Sequence, residues 1–109
     1  MAPHVPSPLR VGQVLETRFP EFTPRITIRS DRELTVEIVA GDNAGFTDTV
    51  EYEAVVVREG LVMLSWKEHI GSTIVSVLDF VSREAYTVVN SAKGDFMRLR
   101  GAIEIKPDT

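Results

Sequence analysis

The stretch Val50-Glu51-Tyr52-Glu53-Ala54-Val55-Val56-Val57-Arg58-Glu59-Gly60-Leu61-Val62-Met63-Leu64-Ser65-Trp66-Lys67 contains two runs of alternating character joined by a turn. In the first run Val50, Tyr52, Ala54 and Val56 alternate with Glu51, Glu53, Val55 and Val57. In the second, Val62, Leu64 and Trp66 alternate with Met63, Ser65 and Lys67. Side chains of a strand point to opposite faces with period two, so each run is a strand with one apolar face. Arg58-Glu59-Gly60 between them reads as a tight hairpin.

The same period extends in both directions. Upstream, Val11, Gln13, Leu15, Thr17 and Phe19 share one face. Pro20 and Pro24 bracket an expected turn, and Ile26 and Ile28 follow. Leu34, Val36 and Ile38 alternate with Glu33, Thr35 and Glu37, before the turn-forming loop Gly41-Asp42-Asn43-Ala44-Gly45. Downstream, strands are expected over Thr73–Val81, Glu84–Asn90 and Phe96–Ile105, the last with Met97, Leu99, Gly101, Ile103 and Ile105 on one face. No segment carries a helical apolar stripe of ten or more residues. Short turns between about eight strands predict an all-β fold, a small antiparallel up-and-down β-barrel of the calycin or lipocalin type. The barrel domain spans residues 10–106. Residues 1–9, with Pro3, Pro6 and Pro8, read as a flexible N-terminal arm.

Composition narrows the chemistry. The chain has 109 residues, a size for one domain, with no cysteine, two histidines, one tryptophan and a formal charge of −4. Thiolate nucleophiles, thiolate metal sites and disulfides are excluded. The acidic balance argues against nucleic acid and anionic membranes as partners. No apolar run is long enough to span a bilayer or to act as a secretory signal, which points to a cytoplasmic protein. His4 lies in the arm and no spaced acidic cluster resembles a calcium loop, so neither a metal nor another cofactor is expected. No nucleophile elbow or phosphate-cradling loop occurs.

What chemistry remains falls to a carboxylate. Strand parity places Glu68 on the face of Leu64 and Trp66. If that face is interior, a carboxyl beside an indole loses solvation of its charged form, and its pKa rises toward the range of a general acid or base. The competing reading puts Glu68 at the barrel rim, solvated or paired with an arginine. Tyr52 shares the interior face and is either a ligand hydrogen-bond donor and possible catalytic partner of Glu68, or a core tyrosine with a satisfied hydroxyl. Trp66, Leu64, Tyr52 and Val36 are the candidate cavity-lining residues. The loop from Gly41 to Thr47, with Phe46 near its end, is the candidate flap over a barrel mouth.

The segment Val62-Met63-Leu64-Ser65-Trp66-Lys67-Glu68, followed by Gly71 and then Val75–Phe80, resembles the molybdenum cofactor biosynthesis protein F-like (MoaF-like) family. Tyr52-Glu53-Ala54-Val55 and Asp79-Phe80 suit the same family, and the resemblance covers roughly Gly12 to Ile105. It implies a small calycin-type barrel but no particular reaction. The Ser-Trp-x-Glu strand end is also similar to one in phenolic acid decarboxylases, where the glutamate handles protons beside two tyrosines and an arginine. Glu68 matches the glutamate. The tyrosine positions fall near Thr17 and Phe19, and the arginine region near Gly45-Phe46-Thr47. Without phenols or a guanidinium there, decarboxylation of a hydroxycinnamate is not expected.

The leading functional expectation is a barrel binding a small apolar or aromatic metabolite, with Glu68 as polar anchor. The alternative is a cofactor-free isomerase, cyclase or lyase using Glu68 as general acid/base. A third reading is a protein-interaction module with a filled barrel. Two strands carry apolar residues on both faces: Val55 and Val57 in one, Val75, Val77 and Val81 in the other. They predict a homodimer interface.

Overall fold

In a computed structural model, which describes residues 6–107, the eight alternating runs are eight strands: β1 (Val14–Arg18), β2 (Phe22–Ile28), β3 (Glu33–Gly41), β4 (Thr47–Arg58), β5 (Leu61–Lys67), β6 (Thr73–Asp79), β7 (Glu84–Asn90) and β8 (Phe96–Ile105). Each pairs antiparallel with the next, and β8 pairs with β1 to close the barrel. The expected all-β up-and-down barrel is the observed fold. Among the described residues no helix is long and apolar enough to cross a membrane.

The expected arm over residues 1–9 lies partly outside the described residues, as does His4. Of its described part, Leu9 already packs against the core. The strand-forming alternation begins later than Val11, which is exposed in a turn ahead of β1. Pro24 does not close a turn as expected but lies inside β2, where the pairing with β3 shifts register between Thr23 and Pro24. A proline donates no backbone hydrogen bond, so a bulge is where a strand tolerates one.

Closure needs one close approach between backbones. A Cβ on Gly101 of β8 would lie 2.0 Å from the Arg18 carbonyl oxygen of β1, so only glycine fits that seam. The seam is reinforced outside by Lys106, whose Nζ lies 3.4 Å from Glu16 and 3.1 Å from Glu104. Glu16 points outward from β1 yet its side chain is only 7% exposed, because Arg25 and Lys106 lie over it. Burial works against its charge, but hydrogen bonds and attraction from Arg25 and Lys106 outweigh that, and its pKa is lowered.

The core occupies one half of the barrel. Leu15, Ile28, Leu34, Val62, Leu64 and Leu78 are almost fully buried and pack together in one cluster. The other half contains open space, and it is ringed by the loops that follow β1, β3, β5 and β7.

Candidate functional site

The inward positions of several strands, near their mouth ends, surround a cavity of about 530 Å³. Its wall includes Ile26 of β2, Val36 and Ile38 of β3, Trp66 of β5, Ile74 of β6 and Met97 of β8. All four mouth loops contribute: Phe19 from the first, Asp42, Asn43 and Phe46 from the second, Glu68, Ile70 and Ser72 from the third, Ser91 and Lys93 from the fourth. Every strand except β4 supplies wall residues.

Short polar side chains make the room. Ser76 and Thr87, directly opposite in the β6–β7 register, share a buried hydrogen bond of 2.8 Å. Because each hydroxyl satisfies the other, this part of the wall is small without demanding a polar ligand. Ser76 sits between Ile74 and Leu78 on the inward parity, and that interruption of an apolar face was the sequence signal for a cavity. Ser76, Thr87 and Ile74 border the cavity in addition to the residues expected there.

Glu68 is the carboxyl placed against this space. The turn that carries it is closed by the Glu68 amide donating to the Ser72 carbonyl at 2.8 Å and the Gly71 amide donating to the Glu68 carbonyl at 2.8 Å. With its backbone held at the hairpin base, Glu68 keeps the inward parity of Trp66. The indole Nε1 donates to Glu68 Oε2 at 3.2 Å. Burial pushes the Glu68 pKa above the ordinary carboxylate value; the Trp66 hydrogen bond opposes this, and the nearby Asp48 charge adds to it.

Asp48 in turn fixes the neighbouring loop. Its carboxylate accepts the His69 amide at 2.8 Å and contacts His69 Nδ1 at 2.8 Å. Burial opposes the Asp48 charge, but these hydrogen bonds more than offset it and lower its pKa. Asp48 therefore stays ionised and holds a negative charge near Glu68. This coupling across the β4–β5 rim has no signature in sequence spacing.

The second mouth loop is a hydrogen-bonded hairpin. The Ile38 amide donates to Phe46, the Gly45 amide to Ile38 and the Phe46 amide to Asn43, at 2.8, 2.9 and 3.1 Å. Asn43 adopts the left-handed region (φ 62°), which asparagine tolerates well. A Cβ on Gly41 (φ +82°) would meet the Glu21 carbonyl at 2.4 Å, and the Asp42 amide donates to that same oxygen at 3.0 Å. Glycine at 41 thus lets the loop lean on the first turn and brings Phe46 to the mouth.

Of the five candidate residues, Val36, Trp66 and Glu68 border the cavity. Leu64 and Tyr52 do not: Leu64 is fully buried one inward step closer to the floor, and the Tyr52 hydroxyl donates to the Ser30 carbonyl at 2.9 Å, in the turn after β2. Although Tyr52 pairs with Trp66 in register, its phenol therefore reaches toward the opposite end of the barrel from Glu68. Burial, with a smaller contribution from Asp31, raises its pKa. No group of three or more His, Cys, Asp or Glu side chains that could hold a metal ion occurs among the described residues.

Comparison with known proteins agrees with this architecture. No curated protein matches the chain. A crystal structure described as a "putative beta-lactamase" from Burkholderia vietnamiensis superposes with a TM-score of 0.86 at 28% identity, over 94% of this chain and 100% of that one. The model of the MoaF-like family matches residues 11–104, nearly the whole described barrel. The chain belongs to the MoaF-like family.

Proposed function

We propose that the barrel binds a small, largely apolar molecule carrying an aromatic ring or a carbonyl group. The observation that carries this reading is an apolar-walled cavity of about 530 Å³ with one carboxyl held against the indole of Trp66. That volume lies within the roughly 300–1,000 Å³ typical of ligand sites. It favours binding over a barrel whose interior is simply filled. Glu68 is the polar anchor: protonated, it donates to a carbonyl; ionised, it accepts from a hydroxyl. Trp66 and Val36 supply the surface against which a flat ring packs.

Titration of Trp66 fluorescence with a panel of aromatic acids, phenols and ketones tests this directly. A saturable change for at least one member is expected, since the only tryptophan borders the cavity. A flat response across the panel counts against the pocket.

The raised pKa of Glu68 favours a second reading, in which the same cavity performs cofactor-free isomerisation, cyclisation or lyase chemistry with Glu68 as general acid/base. Glu68→Gln separates the two: an enzyme keeps ligand and loses turnover, whereas unchanged turnover removes Glu68 from the chemistry.

A further inference from the structure

The two edges of β4 are used unequally. Along one edge, β5 pairs with it from Tyr52 to Arg58. Along the other, β3 pairs only from Thr47 to Glu51, and the last backbone bond is the Tyr52 amide donating to the Arg32 carbonyl at 2.9 Å. The far half of β4 therefore overhangs β3 toward the floor end of the barrel.

Backbone groups of alternate residues in a strand point to the same edge. Since Tyr52 addresses the β3 side, Ala54 and Val56 present their N–H and C=O groups there too. No strand pairs with them among the described residues. The side chains are open as well: Val55 is 50% exposed and Val57 58%. Proteins usually blunt such an edge with proline or lysine. Here the sequence is Glu53-Ala54-Val55-Val56-Val57-Arg58, a strand former with one charge of each sign at its ends.

Its order is self-complementary. We propose that this edge pairs with the same edge of a second copy of the chain, antiparallel about a two-fold axis at Val55. Ala54 of each copy then exchanges both backbone hydrogen bonds with Val56 of the other, giving four new bonds, and the two Val55 side chains meet at a non-hydrogen-bonded position, where side chains lie closest. The register shift between Val56 and Arg58 brings Arg58 opposite Leu61. That places Arg58 on the outward face, which Glu53 shares through its partner Ser65. About the Val55 axis, Glu53 of one copy consequently stands opposite Arg58 of the other, twice. Centring the axis on Glu53 or on Arg58 would oppose like charges, which is unfavourable.

The pairing also extends an existing surface. Val55, Met63 and Val77 lie in one outward row across β4, β5 and β6. Joining two copies at Val55 makes the two rows continuous. Both cavity mouths stay open, because the free half of β4 lies at the opposite end.

Sedimentation at micromolar concentration tests the proposal with charge reversals. Wild type should run at twice the 12.1 kDa chain mass. Glu53→Arg alone and Arg58→Glu alone should each weaken the dimer about tenfold, because two attractive pairs become repulsive. An equimolar mixture of the two variants should restore wild-type affinity, since both cross-strand pairs are then opposite again. Val55→Lys should give a chain of monomer mass with an unchanged far-UV circular dichroism spectrum. A wild type at 12.1 kDa, as expected if the edge takes a different protein or the chain's own terminus, overturns the proposal. So does a mixture no tighter than its components, or a Val55→Lys chain that stays dimeric.

Discussion

At the floor of the barrel, Leu15, Ile28, Leu34, Val62, Leu64 and Leu78 are almost fully buried and belong to one packed cluster. At the mouth, Val36, Trp66, Ile74, Ser76, Thr87 and Met97 face a space of about 530 Å³. Both halves come from the same strands and the same inward parity. What differs is reach. Floor positions carry branched aliphatic side chains from nearly every strand, whereas β6 and β7 contribute a serine and a threonine at the mouth that satisfy one another. The division separates the two halves: the floor supplies stability through close packing, and the mouth gives up packing for an open space of the size the proposed ligand needs.

If that contrast is right, truncation to alanine should cost more at the floor than at the mouth, by more than the roughly 0.8 kcal/mol of the one extra methylene that leucine loses. Leu64→Ala removes a fully buried side chain from the packed half and should cost about 2–5 kcal/mol in denaturant unfolding. Val36→Ala enlarges a space that already exists and should cost clearly less, about 1 kcal/mol. Equal losses would show that the mouth is as tightly packed as the floor.

A second contrast concerns two glutamates. Glu16, buried outside the barrel beneath Arg25 and Lys106, has a lowered pKa; Glu68, in the mouth, has a raised one. Glu16→Gln should destabilise by about 1–2 kcal/mol at neutral pH, since Arg25 remains partly solvated once its partner is gone. The pH dependences have opposite sign. The contribution of Glu16 is present above the unfolded carboxylate pKa and is lost as pH falls through its lowered native value. Glu68 favours the native state most when protonated, and that advantage is lost as pH rises from the unfolded carboxylate pKa through its raised native value. Thermal unfolding from pH 4 to 8 should accordingly show a flatter upper limb in Glu68→Gln than in wild type. An identical slope would mean that Glu68 is solvated in the native state. This is the smallest of the three effects.

Much of the barrel was legible because strand alternation needs no tertiary information. Leu61–Lys67, Glu84–Asn90 and Phe96–Ile105 stand out by period and turn residues alone. Parity also put Val36 and Trp66 on an inward face, and left Glu68 open between that face and the barrel rim; Glu68 borders the cavity from the mouth loop after β5. Parity could not assign height. Leu64 and Trp66 are on the same face, yet one is in the floor and the other borders the cavity, because inclined strands bring different levels together. Tyr52 faces inward as parity requires, but whether its phenol reaches Glu68 or Ser30 depends on the stagger between neighbouring strands. Pro24 misled for a related reason: proline marks a break in local sequence, and the bulge that accommodates it exists only when β3 lies alongside. The overhang of β4 is likewise a property of two strands of unequal pairing, invisible in either one.

Calorimetric titration of the tightest-binding member of the ligand panel, against wild type and Val89→Phe, tests the division of the barrel most directly. Val89 borders the cavity from β7, at a partly exposed position where a phenylalanine extends into the space without disturbing the floor. One site per chain in wild type and a loss of tenfold or more in Val89→Phe, with unfolding stability preserved, is the predicted result. Equal affinity in the two proteins would place the ligand elsewhere and contradict the assignment of the mouth half as a binding cavity.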